Sequence, residues 1–404
     1  MFLIAPNAMN WPLVLNGWRI NGWLGASSTT SLRGDFTSCS CYAVSCAAAS
    51  VGSDLGSTGI LSSRGSNPKT TRQSRAKKRA TMVTTRSQTA RSKADVLASA
   101  PPPYHSVLFV LLAAIIFIKC LPTLERIDEV ATIDTLTHSL FVGPTSLALI
   151  RLLISVFILG VTVKRMLGPG VAPQPTYLPQ SKLRSAPLRL VGLRSLAPFT
   201  LWCWVLLGVT FALTGTIPLL YSLDRTDLIR PWHLRLALLA FEISAPCAFL
   251  VSTCVKYALW PHAYRSKGSE GTKVFRSFYG IVTHNLNVIF VIAEVALLGG
   301  LPVDVSHMAI APIIGLVYVL FAWWMSDRWH PKEEHRGPQY LYFFLDTTLG
   351  WTTTKALAAL LVVLLVFFVV FSIIDDVLEH LQGGLFLHVV ACVLASCLAC
   401  KIRD

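Results

Sequence analysis

The chain has 404 residues, 53% of them hydrophobic and only 14% charged, with a mean hydropathy of +0.57. Soluble domains carry about 25% charged residues, so the composition excludes a water-soluble globular protein and points to an all-α, polytopic bundle of transmembrane helices. The net charge of +14 gives no warrant for nucleic-acid binding: residues 1–100 hold 12 Lys and Arg against Asp35, Asp54 and Asp95, so the charge sits mainly in a tail.

Residues 1–103 read as a disordered, basic, low-complexity tail. Ser62 to Ala100 is rich in Ser, Thr, Arg and Lys, and Pro101-Pro102-Pro103 closes it. Such a stretch cannot bury enough apolar surface to offset chain entropy. Few acidic residues with abundant Ser and Arg also fit a targeting segment. The run Arg75, Lys77, Lys78, Arg79 reads as solvated disorder, and Met82 is an alternative initiator.

Residues 104–404 read as one multi-pass membrane domain. A hydrocarbon core of about 30 Å needs roughly 20 apolar residues per helix. Eight segments approach this, near 104–121, 141–163, 199–221, 236–257, 278–299, 307–325, 355–374 and 385–400. The loops alternate in charge. Segment 122–138 holds Glu125, Asp128, Glu129 and Asp134 against Arg126, whereas 164–198 holds six Lys and Arg and no acid. Loop 258–277 is again basic and turn 375–384 acidic, so the positive-inside rule places both termini in the cytoplasm. Gln339 to Ile374 would be about 54 Å as straight helix. Gly350 and Thr352-Thr353-Thr354 predict a break there, leaving 340–349 as a re-entrant or interfacial piece.

No nucleotide-binding, zinc-protease, serine-hydrolase or haem motif occurs, and neither a metal nor a cofactor is expected. The ten cysteines form no paired framework. Cys397 and Cys400 have CxxC spacing without a second pair, which reads as helix packing.

Ionisable groups inside a bilayer are costly and raise a functional question by default. Here they are Arg151, Glu242, His284 and Glu294, with Asp346 near an interface. Arg151 and Glu242 are expected to pair between the second and fourth spans. Asn287 and Glu294, seven residues apart, share a helical face, with His284 about 60° from it. The plainer reading of His284 is a hydrogen-bonded residue joining helices, and Thr200 alone is merely a threonine in a first turn. Their depth makes the two more interesting. Thr200 follows Arg194 by six residues and His284 follows Arg276 by eight, so both enter from the basic-loop side to similar depth. A hydroxyl and an imidazole so placed can serve as nucleophile and base if the helices touch. Asn285, Asn287 and Asp346 are the candidates to support them.

The stretch Pro198-Phe199-Thr200-Leu201-Trp202-Cys203-Trp204, then Arg230-Pro231-Trp232, His284, Phe290 and Glu294, resembles the androgen-induced and androgen-dependent TFPI-regulating membrane proteins. Gly337-Pro338 and Phe343-Phe344-Leu345-Asp346-Thr347-Thr348 continue the likeness, which covers about 145–375. The longer array of spans and Tyr177-Leu178-Pro179-Gln180-Ser181-Lys182 look closer to the related rolling stone branch. The first branch implies a hydrolase of fatty acid esters of hydroxy fatty acids, with its threonine nucleophile at Thr200 and its histidine at His284. The rolling stone branch implies a non-catalytic role in membranes and cell fusion. A transporter using Arg151, Glu242 and Glu294 ranks third, because inverted repeats are not evident. In each case the expected partners are membrane lipids, with a lipid ester as substrate in the first.

Overall fold

The computed structural model describes residues 104–403 apart from 174, 176, 299, 331–336 and 381–383. The tail expected over 1–103 lies outside the described residues.

Apolar runs become helices because lipid offers no hydrogen bonds to the backbone, and a helix satisfies its own. Helix α1 (Tyr104–Lys119) is followed by two short helices, α2 (Leu124–Val130) and α3 (Ile133–Thr137), capped by Thr123 and Thr132. Then come α4 (Pro144–Leu167), α5 (Phe199–Ser222) and α6 (Pro231–Cys254), with Pro144 and Pro231 in the first helical turn, where a missing N–H costs nothing. A π-helical turn, Val255–Leu259, joins α6 to α7 (Trp260–Arg276). The next span is composite: α8 (Phe278–Ile281), a π turn (Val282–Leu286), α9 (Asn287–Ala293) and a second π turn (Glu294–Leu298). Helices α10 (Ile310–Ser326), α11 (Trp351–Glu379) and α12 (Gly384–Ala399) complete the array.

Each of the eight expected segments coincides with a helix. Among the described residues six segments are long and apolar enough to cross a membrane, and a seventh if α1 and α2, bent by 65°, form one broken span. Helix α12, with 16 residues, is shorter than that test requires. The fold is therefore an all-α, multi-pass membrane bundle. Of residues 258–277, read as a loop, 258–276 are helical apart from a kink at Gly268 (φ 57°), and Ser277 is extended and caps α8. The break before the last long helix falls at Gly350, whose φ of 56° suits glycine, and 343–349 forms two 3-10 turns.

Helices α4 and α5 pack most closely, and two glycines allow it. A Cβ on Gly208 would lie 2.7 Å from Ile158 Cγ2, and one on Gly215 would lie 3.0 Å from Arg151 Cβ. Ser155 Oγ donates to the Gly208 carbonyl at 2.7 Å across the same seam. Small residues and short polar bonds join membrane helices in this way. Trp204, Leu207 and Phe211 of α5, Phe241 of α6, Val288 and Val291 of α9 and Phe368 and Phe371 of α11 share the central apolar cluster.

The expected pairing of Arg151 with Glu242 is wrong. Arg151 pairs with Glu294, its Nη2 lying 2.5 Å from Oε1, while Nη1 donates to the carbonyls of Leu136 and Thr214. Glu242 instead accepts from the Asp304 N–H at 3.1 Å and meets His307 Nδ1 at 2.9 Å. Neighbour order decides this, because α4 lies against α5 and within reach of the composite span.

Candidate functional site

At the end of the bundle that carries the basic loops, the stretches 177–186 and 339–348 interlock. Tyr177 donates to the Tyr340 carbonyl at 3.4 Å and accepts from the Tyr340 N–H at 2.8 Å. The Gln339 side chain accepts from the Ala186 N–H and donates to the Arg184 carbonyl, both at 3.1 Å. Burial pushes the phenols of Tyr177 and Tyr342 up to about 12, since a phenolate would lose its water.

Asp346 belongs to this cement. Its carboxylate accepts from the Ser181 hydroxyl, from the Thr348 N–H at 2.9 Å and from the Thr348 hydroxyl at 2.7 Å, and its carbonyl accepts from Thr353. The Lys182 N–H donates to Thr348 Oγ1 at 3.2 Å. The stretches 177–182 and 343–348, quoted above for the resemblance, thus bind each other.

Thr200 lies in the first turn of α5, half-buried, with its side chain interacting with the Tyr342 hydroxyl. Phe199 and Trp202 pack edge-on against Tyr318 of α10, with ring centroids 5.0 and 5.3 Å away. Trp204, one turn further along and fully buried, keeps Nε1 without a hydrogen-bond partner.

His284 occupies the π turn of the composite span. A π turn widens the helix by one residue, recurs at functional sites and frees carbonyls from the ordinary ladder. The His284 carbonyl accepts from the Ser252 hydroxyl of α6 at 2.5 Å, and Ser252 also approaches Asn287 Oδ1 at 3.0 Å. The ring stands edge-on to Phe275 at 6.0 Å, and the charge of Arg165 acts on it. Its Nδ1 is shut off from solvent without a hydrogen-bond partner, as are Asn287 Nδ2 and Arg165 Nε. Leaving a buried donor or acceptor unpaired costs about 1–3 kcal/mol, so three such atoms in one region call for an explanation.

Asn285 faces elsewhere. It donates to the Lys401 carbonyl at 3.1 Å and accepts from the Lys401 N–H at 3.0 Å, which pins the C-terminal segment. Lys256 and Tyr257, in the π turn after α6, hold the carbonyls of Cys397 and Leu398.

The structure therefore brings His284 and Asn287 together around Ser252, and sets Thr200 beside Tyr342 and Asp346 beside Ser181. Helix α5 and the π turn of His284 pack against each other, but no hydrogen bond joins Thr200 to His284 or Asp346 to His284 among the described residues. A cavity of about 300 Å³ opens between 169–172 and 187–189, and neither Thr200 nor His284 lines it. No cluster of three or more His, Cys, Asp or Glu fit for a metal occurs among the described residues.

Sequence reasoning missed Arg165 and His307. Arg165 was counted as loop charge, yet it ends a 24-residue helix of about 36 Å, longer than a 30 Å core needs. His307, at the start of a span, carries the same warning as any intramembrane histidine. Comparison with known proteins finds no matching family, no similar curated protein and no similar solved structure.

Proposed function

We infer that this membrane protein hydrolyses a lipid ester at its basic-loop end, with His284 as general base and Thr200 as nucleophile. The observation that carries the reading is the His284 ring, seated in a π turn with Nδ1 buried and unspent. A histidine kept only to join helices uses its nitrogens in hydrogen bonds. The reaction class comes from the resemblance to the androgen-induced membrane proteins.

In this reading Thr200 Oγ attacks the ester carbonyl while neutral His284 takes the hydroxyl proton. The imidazolium returns that proton to the leaving alkoxide, and water, deprotonated by the same ring, releases the acyl group from Thr200. The base must come within about 3 Å of the hydroxyl. The bound lipid therefore draws Thr200 away from Tyr342 and closes α5 on the π turn. Asn287 Nδ2, a spare buried donor three residues from His284, suits the carbonyl oxygen.

A second reading, a non-catalytic membrane role of the rolling stone type, draws on the interlocking of 177–182 with 343–348. Turnover separates the two. Full-length protein in lipid nanodiscs, given fluorogenic and natural acyl esters, should lose at least about 100-fold in rate on Thr200→Ala and on His284→Ala, within the 10²–10⁴ range of positioned acid–base groups. Hydrolysis surviving both substitutions in folded protein overturns the catalytic reading.

A further inference from the structure

Helix α4 ends in Lys164 and Arg165, and neither cation meets a carboxylate among the described residues. Lys164 Nζ lies 5.9 Å over the Phe278 ring and the Arg165 guanidinium 5.6 Å over Tyr279. Lys401 Nζ lies 5.6 Å over Trp260, and Lys256 is spent on backbone carbonyls. Lys164, Arg165 and Lys401 thus concentrate positive charge on aromatic faces. Cation–π contact leaves the edge of a guanidinium available, and Arg165 Nε is buried and unpaired. That edge suits an oxyanion, which arginine recognises through its planar fork.

The surroundings say what carries the anion. Val163, Leu167 and Phe278, beside these cations, are exposed apolar side chains, with Leu167 82% and Phe278 55% accessible. A soluble anion has no use for them, whereas acyl chains do. Aromatic residues with Lys and Arg at a helix end mark the headgroup level of a membrane. Depth supplies a further argument. Tyr279 precedes His284 by five residues, about 7 Å along a helix at 1.5 Å per residue. His284 therefore lies deeper than Arg165, in the order in which an acyl ester lies deeper than a headgroup phosphate.

We propose that Arg165, with Lys164 at the rim and the Tyr279 and Phe278 rings behind them, binds the phosphate of a membrane phospholipid whose acyl esters reach towards His284. The headgroup contact stands by itself, and only the phospholipid's role as substrate rests on the hydrolase reading.

The test uses the full chain in detergent, with retained lipid read by native mass spectrometry. Dioctanoyl phosphatidylglycerol is compared with dioctanoylglycerol, which lacks the phosphate, and with inorganic phosphate as competitor. The phospholipid should be retained at least about tenfold better than the neutral lipid, and Arg165→Gln should abolish the preference. Arg165→Lys should restore part of it, and His284→Ala should leave retention unchanged while turnover falls. If Arg165→Gln does not fold, Lys164→Gln reads the same contact at an exposed side chain, with a loss of about threefold. Equal retention of the two lipids, or an undiminished preference in the folded variants, overturns the proposal. Displacement of the lipid by equimolar inorganic phosphate would mark a free-anion site and overturns the lipid assignment. No phosphate-dependent retention in the parent protein, with its ester turnover intact, removes the headgroup contact and leaves the catalytic reading standing. Phosphate-dependent retention in a parent protein that turns over no ester removes the catalytic reading alone.

Discussion

Buried charge is handled differently in the two halves of the bundle. In the half with acidic loops, Arg151 is locked on Glu294 and two carbonyls, and Glu242 on His307 and the Asp304 N–H. Arg126 and Arg235 meet Asp304 and Asp128 at its edge, where Glu129, with Asp304, raises the Arg126 pKa and Arg235 lowers that of Asp128. In the half with basic loops, Arg165 faces an aromatic ring, and His284 and Asn287 each keep a nitrogen unspent. Paired charges in lipid serve architecture, while unspent ones mark where a ligand can be received. His307 Nε2 is the exception in the acidic half, buried and unpaired beyond the Glu242 contact. It makes that pair the next place to look for proton chemistry.

The largest expected effect tests the architectural half. Arg151→Met should cost about 3–5 kcal/mol, because it strands the Glu294 carboxylate and leaves the Leu136 and Thr214 carbonyls without their donor. Arg151→Met combined with Glu294→Leu should recover most of that loss, since a buried pair contributes little net stability over apolar residues of similar size. Unfolding in mixed detergent micelles measures both. Equal losses in the single and double variants would mean that the carbonyl contacts, rather than the ion pair, hold the site.

A smaller effect tests whether the basic half is held by local polar bonds. Asn285→Ala removes the two hydrogen bonds to Lys401 and should cost about 1–2 kcal/mol at about 1 kcal/mol each. Amide exchange should rise over Cys400–Arg403 and stay unchanged at Ser252. Protection that persists at Lys401 would assign the docking of this segment to Lys256 and Tyr257 instead.

The contrast between the halves was only partly legible in the sequence. Hydropathy found the helices, because a span must be apolar along nearly its whole length whatever its neighbours are. Gly350 was legible for a similar reason, since a glycine beside three threonines breaks a helix locally. The partner of Arg151 was not, because choosing between Glu242 and Glu294 needs the order of helices around α4. The π turns at 255–259, 282–286 and 294–298 carry no local signature of their own and arise from packing. Loop charge placed Thr200 and His284 at one end of the bundle. That they point to different neighbours, Tyr342 and Ser252, depends on rotation about each helix axis, and the π turn changes that rotation at His284.

The smallest effect concerns the interlocked loops and bears on which reading of Thr200 survives. Tyr177 and Tyr342 each titrate near about 12 because burial penalises the phenolate. The unfolded value is about 10. A pKa raised on folding contributes stability that is fully present below pH 10 and lost as pH rises through 12. The contacts of 177–186 with 337–349 should therefore loosen between pH 10 and 12, with two late phenols in the ultraviolet titration. Protection of those loops from a high-pH protease should fall over the same interval. Tyr342→Phe removes one late phenol and also the hydroxyl beside Thr200. If Thr200 is a nucleophile held in reserve, this variant should hydrolyse lipid esters at least as fast as the parent below pH 10, because the attacking group no longer has to leave Tyr342. If the Thr200–Tyr342 contact is cement, the variant should instead show protease-sensitive loops at neutral pH and no gain in turnover. Both phenols titrating near 10 would mean that water reaches the loop seam, and Thr200 would then lie in an open vestibule rather than a packed one.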